Sequence, residues 1–154
     1  PFEFAGAFRP APGIGRMLSG TPQVVALSLL DSSLDILVEA GMGALRTKSL
    51  ALTELFISLI EQKCSGQGLE LLSPKDPALR GSQVSYGYAN GYGAVQALIA
   101  RGVIGDFRQP NIMRFGFAPL YVRYIDIWDA VQALCAVLEG AEWKSFPLRE
   151  GVVT

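Results

Sequence analysis

The chain has 154 residues, of which 50% are hydrophobic, and its 13 basic and 14 acidic residues leave a net charge of −1. A chain of this size and composition can bury a sizeable core, so a single globular domain is expected and wholesale disorder is excluded. The charge balance lacks the basic excess that a nucleic-acid backbone requires, and the longest apolar runs are too short to span a bilayer. Neither nucleic acid nor a membrane is therefore expected as a partner.

The side chains available for chemistry are few. The sequence has no histidine, which removes histidine-based general acid and base catalysis, Ser-His-Asp and Cys-His triads, and most zinc sites. No metal site and no catalytic residue is predicted. Cys64 and Cys135 are the two cysteines, and they lie far apart in helix-like segments. They predict reduced core thiols in an intracellular, cytoplasmic protein and argue against a disulfide framework.

Residues 1–22 combine three phenylalanines with four prolines and four glycines. This composition predicts an extended segment without regular structure, and exposed aromatic side chains favour its packing on another domain or subunit. The segment starts without methionine or a signal-peptide pattern, which favours a piece of a longer protein. The three aromatic residues are Phe2, Phe4 and Phe8.

Thr21 and Pro22 have the pattern of a helix start, with a hydroxyl at the N-cap and a proline at the first helical position. Two interpretations of Thr21 remain open. The hydroxyl either caps the helix, or joins nearby amides in holding a phosphate at the positive end of the helix.

Helical periodicity is the strongest structural signal in the chain. It predicts a largely buried helix over 24–40 that stops at Gly41, followed by a second helix over 42–63. Lys48 falls on the polar face of the second helix and is interpreted as a solvated lysine, not a Schiff-base residue. Two further helices are predicted over 92–101 and 121–140.

Four short strands are predicted between these helices, over 69–72, 84–88, 103–107 and 112–117. Two long helices followed by strand, strand, helix, strand, strand and helix predict an α+β fold. Its small, mainly antiparallel sheet is expected to be covered on one face by helices. The predicted organisation is an N-terminal segment with a helix start over 1–22, a small α+β domain over 23–140, and a C-terminal tail over 141–154.

The predicted strand 112–117 contains one charge, on Arg114. Alternation puts Arg114 and Gly116 on one face and the two phenylalanines of the strand on the other. Gly116 leaves room for a small ligand to approach the backbone beside the guanidinium, so the pattern predicts an anion site. The alternative is that Arg114 faces solvent or pairs with a structural carboxylate such as Asp106 or Asp126.

Five segments taken together resemble the C-terminal part of bacterial kynureninase. They read SGTPQVVALSLLDSSLDI, MGALRTKSLALTELF, RGSQVSY, RGVIGDFRQPNIMRFGFAPLY and DIWDAVQAL. The fourth is the most specific, because it joins a Gly-Asp-x-Arg turn to an Arg-x-Gly strand and a Pro-Leu-Tyr exit. The resemblance spans nearly the whole chain and implies the small domain of a pyridoxal-phosphate enzyme of fold type I, the aspartate-aminotransferase fold.

The resemblance also implies an activity and its partners. The expected reaction is hydrolysis of the bond between the β and γ carbons of L-kynurenine, giving anthranilate and L-alanine, with 3-hydroxykynurenine as the other possible substrate. Pyridoxal 5'-phosphate, a homodimer and an N-terminal large domain are implied with it. Because the cofactor's lysine belongs to that large domain, this chain alone is expected to be inactive.

Two family positions match residues of this sequence. Thr21 matches the polar residue that reaches the cofactor phosphate of the neighbouring subunit, and Arg114 matches the arginine that binds the substrate carboxylate. The alternatives are the small domain of another fold-type I enzyme, an aminotransferase or a desulfurase, or a non-catalytic α+β module that binds a small carboxylate.

Overall fold

The structure is a computed structural model that describes residue 6 and residues 9–18 and 20–147. The chain divides into two compact units, Pro1–Ala40 and Gly41–Thr154.

The described part of the N-terminal segment contains a short 3₁₀ helix, Gly13–Met17, where the sequence predicts no regular structure. Arg16 stabilises this turn, since its Nε donates to the Gly13 carbonyl at 3.0 Å. A single 3₁₀ turn needs only such local bonds, so a composition rich in glycine and proline does not prevent it. The predicted docking of the aromatic side chains concerns residues outside the described part of the chain, namely Phe2, Phe4 and Phe8.

Helix α1 spans Val24–Ala40 and begins later than the Thr21-Pro22 pattern indicates. The Gln23 carbonyl accepts a hydrogen bond from the Leu27 amide at 2.9 Å, so Gln23 occupies the N-cap position. The predicted cap at Thr21 is therefore wrong by two residues. Hydroxyl and proline preferences locate a helix start only approximately, because several neighbouring positions satisfy the same local rules.

The apolar side chains of α1 are exposed. None of its residues is buried in this structure, and Leu27, Leu30 and Leu34 keep 51%, 52% and 45% of their surface accessible. Val25 and Val38 are more exposed still. The prediction of a largely buried helix is wrong here, because periodicity identifies an apolar face but does not show which part of a protein covers it.

The described part of the second unit contains three α-helices and a four-stranded sheet. The helices are α2 (Met42–Lys63), α3 (Gly91–Ala100) and α4 (Tyr124–Glu139), and the strands are β1 (Glu70–Leu71), β2 (Gln83–Gly87), β3 (Asp106–Arg108) and β4 (Ile112–Gly116). The strand order is β1-β2-β4-β3, and every pairing is antiparallel. The predicted α+β class is confirmed, with a sheet that is wholly antiparallel.

Two boundaries differ from the predicted ones by three residues, and the others differ by one residue at most. Strand β3 begins at Asp106 because the residues before it do not pair with β4. Helix α4 begins at Tyr124 because the Asp126 carboxylate accepts a hydrogen bond from the Arg123 amide at 2.7 Å, which closes the first turn there. Gly102 ends α3 with φ +84°, a left-handed conformation that glycine adopts without a steric penalty.

The segment that follows α4 packs against the other elements of the second unit. A 3₁₀ helix at Glu142–Ser145 brings Trp143 against the core, and residues 148–154 of the predicted tail lie outside the described residues. Gly93 of α3 is the contact point, because a Cβ there would meet the backbone of this segment, with the Phe146 carbonyl oxygen at 3.0 Å.

The core forms between one face of the sheet and the helices. Met113, Phe115 and Phe117 are all buried, whereas Arg114 is half-buried and Gly116 is exposed. The Phe56 ring of α2 lies 5.0 Å, centroid to centroid, from the rings of both Phe115 and Phe117. Aromatic burial of this kind contributes about 1.5–3 kcal/mol per side chain, and it fixes which face of β4 turns away from the core.

Cys64 and Cys135 form a disulfide, with their Cα atoms 5.8 Å apart. The expectation of two reduced thiols is wrong, although both residues are buried in the core as predicted. The pair is 71 residues apart in sequence and meets because the end of α2 packs against α4. Sequence separation gives no indication of such a contact between helices.

Candidate functional site

Arg114 lies in the middle of a row of side chains that crosses the sheet. Strand β4 is an interior strand, and Arg114 is paired with Ser85 on β2 and with Asp106 on β3. Directly paired residues of antiparallel strands place their side chains on the same face. The row Ser85, Arg114 and Asp106 therefore occupies the sheet face opposite the buried aromatic layer.

Arg114, Asp106 and Arg108 form what we call the Arg114 cluster. Arg114 Nη2 donates to Asp106 Oδ2, and Arg108 Nη2 lies 3.3 Å from the same oxygen. The hydrogen bond from Arg114 is the main cause that lowers the pKa of the Asp106 carboxyl, and the charge of Arg108 adds to it. Of the two carboxylates considered from the sequence, Asp106 is thus the partner, whereas Asp126 pairs with Arg123.

The ion pair leaves most of the Arg114 guanidinium unused. A guanidinium has five N–H donors, and within the described residues only Nη2 of Arg114 donates a hydrogen bond. Its Nε is buried without a partner among those residues, and the side chain is 30% exposed. The cluster has two cations and one anion, so it keeps one uncompensated positive charge. This arrangement suits an incoming anion.

The backbone next to Arg114 is open. A Cβ built on Gly116 would meet no atom within 4 Å. Gly116 also lines a mainly apolar groove of about 570 Å³, together with Ile104, Phe117 and Tyr121. The groove reaches this end of β4 at Gly116, and Arg114 is not among the residues that line it.

Lys48 stabilises the loop that follows β4. Its side chain is half-buried, and its Nζ donates to the Pro119 carbonyl at 2.7 Å. The interpretation of Lys48 as a solvated lysine is wrong, because the polar face of α2 at this position packs against the loop and does not face water alone. The lysine thus links α2 to the segment that lines the groove.

Arg80 stabilises the loop before β2, a role that sequence reasoning missed. It is a charged residue with only 4% of its surface exposed. Its Nη1 donates to the carbonyls of Pro74 and Lys75 at 2.8 and 3.1 Å, and its Nη2 donates to Glu54 on α2. The loop leads into the strand that carries Ser85. No local pattern marks an arginine in a polar loop as buried.

Thr21 lies in the first unit, whereas Arg114 lies in the second. Thr21 is exposed and lies just before α1. The first amide groups of a helix lack partners within it and carry its positive dipole end, so this position suits a phosphate group.

Within the described residues, no helix has both the length and the apolar character that a membrane crossing requires.

The fold and the Arg114 cluster define a class of protein: a small α+β domain that presents a partly unpaired arginine on the open face of an antiparallel sheet. A family model described as the kynureninase C-terminal domain matches residues 45–134, which include this sheet and most of its helices. The chain belongs to the kynureninase family and corresponds to its C-terminal part.

Curated relatives agree with the family model. A kynureninase of Burkholderia mallei (strain SAVP1) and one of Burkholderia pseudomallei (strain K96243) are each 49% identical over 145 residues, covering 94% of this chain and 35% of the relative. A kynureninase of Pseudomonas fluorescens is 46% identical over 153 residues, covering 98% of this chain and 37% of the relative. The chain spans about a third of the length of these relatives, and their common name is that of an enzyme.

These matches do not favour the alternatives considered from the sequence. An aminotransferase, a desulfurase and a stand-alone binding module share the α+β layout, but the family model and the relatives above all carry the kynureninase name. The assignment applies to the family of the chain.

Proposed function

We propose that this chain acts as the C-terminal part of a pyridoxal-phosphate-dependent kynureninase. The reaction is the hydrolysis of L-kynurenine, in which water is added across the bond between the β and γ carbons and anthranilate and L-alanine are formed. Family membership supports this assignment. The structural observation that supports it is the partly unpaired guanidinium of Arg114, which lies beside open space at Gly116.

Arg114 binds the α-carboxylate of the substrate in this proposal. The unused N–H groups of its guanidinium form an edge that matches the two oxygens of a carboxylate. The positive charge that the cluster retains balances the charge of the ligand. The α-carboxylate is common to L-kynurenine and 3-hydroxykynurenine, so Arg114 serves either substrate.

The experiment is a pair of substitutions in the full-length protein that contains this segment. Arg114→Ala removes the charged donor of the proposed carboxylate site and is expected to cost roughly 2–5 kcal/mol of binding and transition-state stabilisation. At about 1.4 kcal/mol per tenfold change, kcat/KM for L-kynurenine falls some tens to thousands of fold. Arg114→Lys keeps the charge but loses the planar fork, so its loss is smaller but still large.

Arg101→Ala is the matched control. Arg101 is also a half-exposed arginine that pairs with a carboxylate, here Glu142, but it lies at the end of α3 and outside the cluster. Its substitution leaves kcat/KM within about twofold, as expected for a surface ion pair. A full-length Arg114→Ala enzyme with unchanged kcat/KM would show that the carboxylate is bound elsewhere.

Thr21 binds the phosphate of pyridoxal 5'-phosphate in the neighbouring subunit of the proposed dimer. The cofactor, when bound, supplies the electron sink for carbanion chemistry, and its lysine comes from the proposed large domain. Support for this role comes from the position of Thr21, exposed and in front of α1, and from the fact that Gln23 occupies the cap position. The hydroxyl is therefore not needed to start the helix.

Thr21→Val and Thr21→Ser test this role. Loss of a hydrogen bond to a charged phosphate costs about 1.5–3 kcal/mol, so Thr21→Val weakens cofactor binding by roughly 10- to 150-fold. Thr21→Ser keeps the hydroxyl and binds within a few-fold of the wild type. Titration of the apoenzyme with cofactor, followed by absorbance, measures both. Equal affinities for the Val and Ser variants would contradict a phosphate contact.

A homodimer and a preceding large domain complete the proposal. Two observations support partners of this kind: the apolar side chains of α1 are exposed, and the chain spans about a third of the length of its relatives. An isolated chain of this length should therefore be inactive toward kynurenine. Light scattering of the full-length protein should give twice the subunit mass, and a catalytically active monomer would exclude the dimer.

A further inference from the structure

We propose that Asp106 is a positioning residue for the reaction: it holds the Arg114 guanidinium in the orientation in which its unused edge meets the substrate carboxylate. The inference rests on the proposed function, because it assigns a role to the neighbour of the proposed clamp. Asp106 itself does not touch the substrate. It acts through Arg114.

The geometry of the two strands supports this role. Asp106 and Arg114 are a direct cross-strand pair, and Nη2 of the arginine donates to Oδ2 of the aspartate. Strand β3 approaches β4 closely at this point. A Cβ built on Gly105 would lie 3.3 Å from the Arg114 carbonyl oxygen and 3.4 Å from the Phe115 ring. The carboxylate is thus presented from a backbone that is itself fixed against β4.

A hydrogen bond at one corner of a guanidinium restricts the rotation of the whole planar group. An arginine side chain has about 2 kcal/mol of rotamer freedom to lose, and a clamp that is already oriented loses less of it when the ligand binds. On the β2 side of Arg114 the paired residue is Ser85, which has no charge. Orientation by an ion pair therefore comes from the β3 side.

Arg108 explains how a carboxylate can stand next to an anion site without repelling the ligand. Its Nη2 lies 3.3 Å from Asp106 Oδ2, so the aspartate is shared between two arginines. The cluster keeps a net positive charge when Asp106 is ionised. The aspartate can then orient Arg114 without cancelling the attraction between Arg114 and a carboxylate.

Two effects of removing Asp106 have opposite signs, which makes the inference testable. If orientation dominates, the loss of Asp106 weakens substrate binding, because a guanidinium displaced by about 1 Å can cost up to 100-fold. If Asp106 only reduces the positive charge of the cluster, its loss strengthens the binding of an anion.

The test uses the full-length enzyme with Asp106→Ala and Asp106→Asn. We expect kcat/KM for L-kynurenine to fall roughly 10- to 100-fold in Asp106→Ala, mainly through KM, since carboxylate binding contributes to ground state and transition state alike. Asp106→Asn keeps an acceptor and falls less. The calorimetric Kd of the product L-alanine, which has the same carboxylate, rises in parallel.

A double-mutant cycle separates positioning from a structural role. In an Arg114→Ala background, Asp106→Ala has no guanidinium to orient and changes kcat/KM less than about twofold. Glu142→Ala is the control, because it removes a half-exposed carboxylate from an arginine elsewhere on the unit and leaves KM unchanged. Unfolding midpoints of all variants show whether a change in KM accompanies a loss of stability.

The outcomes are distinguishable. If Arg114→Ala has no effect, the proposed function fails, and the inference fails with it. If Arg114→Ala is costly but Asp106→Ala behaves like Glu142→Ala, or tightens L-alanine binding, only the positioning role is overturned. The same loss for Asp106→Ala with and without Arg114 would also overturn it.

Discussion

The loop in front of β2 offers the sharpest test of how this fold is held together. Arg80 is buried, and its guanidinium joins the Pro74 and Lys75 carbonyls of that loop to Glu54 on α2. Replacing Arg80 with alanine removes every one of these links at once. The loop then loses one of its links to α2, and its two carbonyls lose a charged donor.

The magnitude follows from the number and kind of bonds. A hydrogen bond from a charged donor contributes about 1.5–3 kcal/mol, so two carbonyl bonds at the lower bound give about 3 kcal/mol. The pair with Glu54 adds little, because the Glu54 side chain is half-exposed and solvent screens it. At roughly 4 °C per kcal/mol for a unit of this size, Arg80→Ala lowers Tm by about 12 °C.

Tryptophan fluorescence is the appropriate assay, since both tryptophans of the chain, Trp128 and Trp143, lie in the second unit. Urea and thermal unfolding followed by this signal report that unit alone. Lys75→Ala is the control, because it removes a cation from an exposed ion pair with Glu61 and is expected to cost less than about 0.5 kcal/mol.

Glu54→Gln separates the two kinds of partner that Arg80 has. If the backbone carbonyls dominate, this variant loses less than about 1 kcal/mol while Arg80→Ala loses about 3 kcal/mol. The reasoning is refuted if Arg80→Ala is no less stable than Lys75→Ala. It is also refuted if Glu54→Gln is as damaging as Arg80→Ala.

Three further predictions concern the same unit. Gly93→Ala forces a Cβ against the backbone of the C-terminal 3₁₀ segment and should cost about 1–3 kcal/mol by urea unfolding, whereas Gly43→Ala, with open space around it, should be neutral or slightly stabilising. Reduction of the Cys64–Cys135 disulfide, which closes a loop of 71 residues, should cost up to about 4 kcal/mol, and unfolded oxidised protein should show no free thiol. Arg101 lowers the pKa of the Glu142 carboxyl, so the stability that this pair provides is present above about pH 4 and is lost as the pH falls through the lowered pKa. Glu142→Gln should therefore flatten the loss of stability at acidic pH. An unchanged pH profile would contradict this prediction.

Much of this fold could be predicted from the sequence because its signals are local. The spacing of apolar residues placed helix α2 correctly, and strict alternation around Arg114 identified the face of β4 that turns away from the core. Both inferences depend on the periods of 3.6 and 2 residues, which the chain keeps over whole elements.

Four of the errors have a different origin, because they depend on contacts between distant parts of the chain. Cys64 meets Cys135 only after α2 and α4 pack, and Lys48 is covered only by the loop that reaches Pro119. The exposure of α1 belongs to the same class of error, since an apolar face does not specify its partner. Arg80 was missed because its partners in the loop are backbone carbonyls, which no side-chain pattern reveals.

The candidate site could be predicted only in part for the same reason. The sequence named Arg114 and considered Asp106 as a partner, but it gave no register between β3 and β4 and no pairing between β2 and β4, which are not consecutive in the chain. Ser85 and the sharing of Asp106 with Arg108 emerge only from that register.

The interior position of β4 has a consequence for motion. A side chain on an edge strand can detach when that strand frays, but β4 is paired on both sides, by β2 and by β3. Freeing Arg114 would require both ladders to open together, so its amide should exchange with solvent only in the rarest openings of the unit. The guanidinium is therefore carried by a backbone segment that opens only when two strand pairings are lost together.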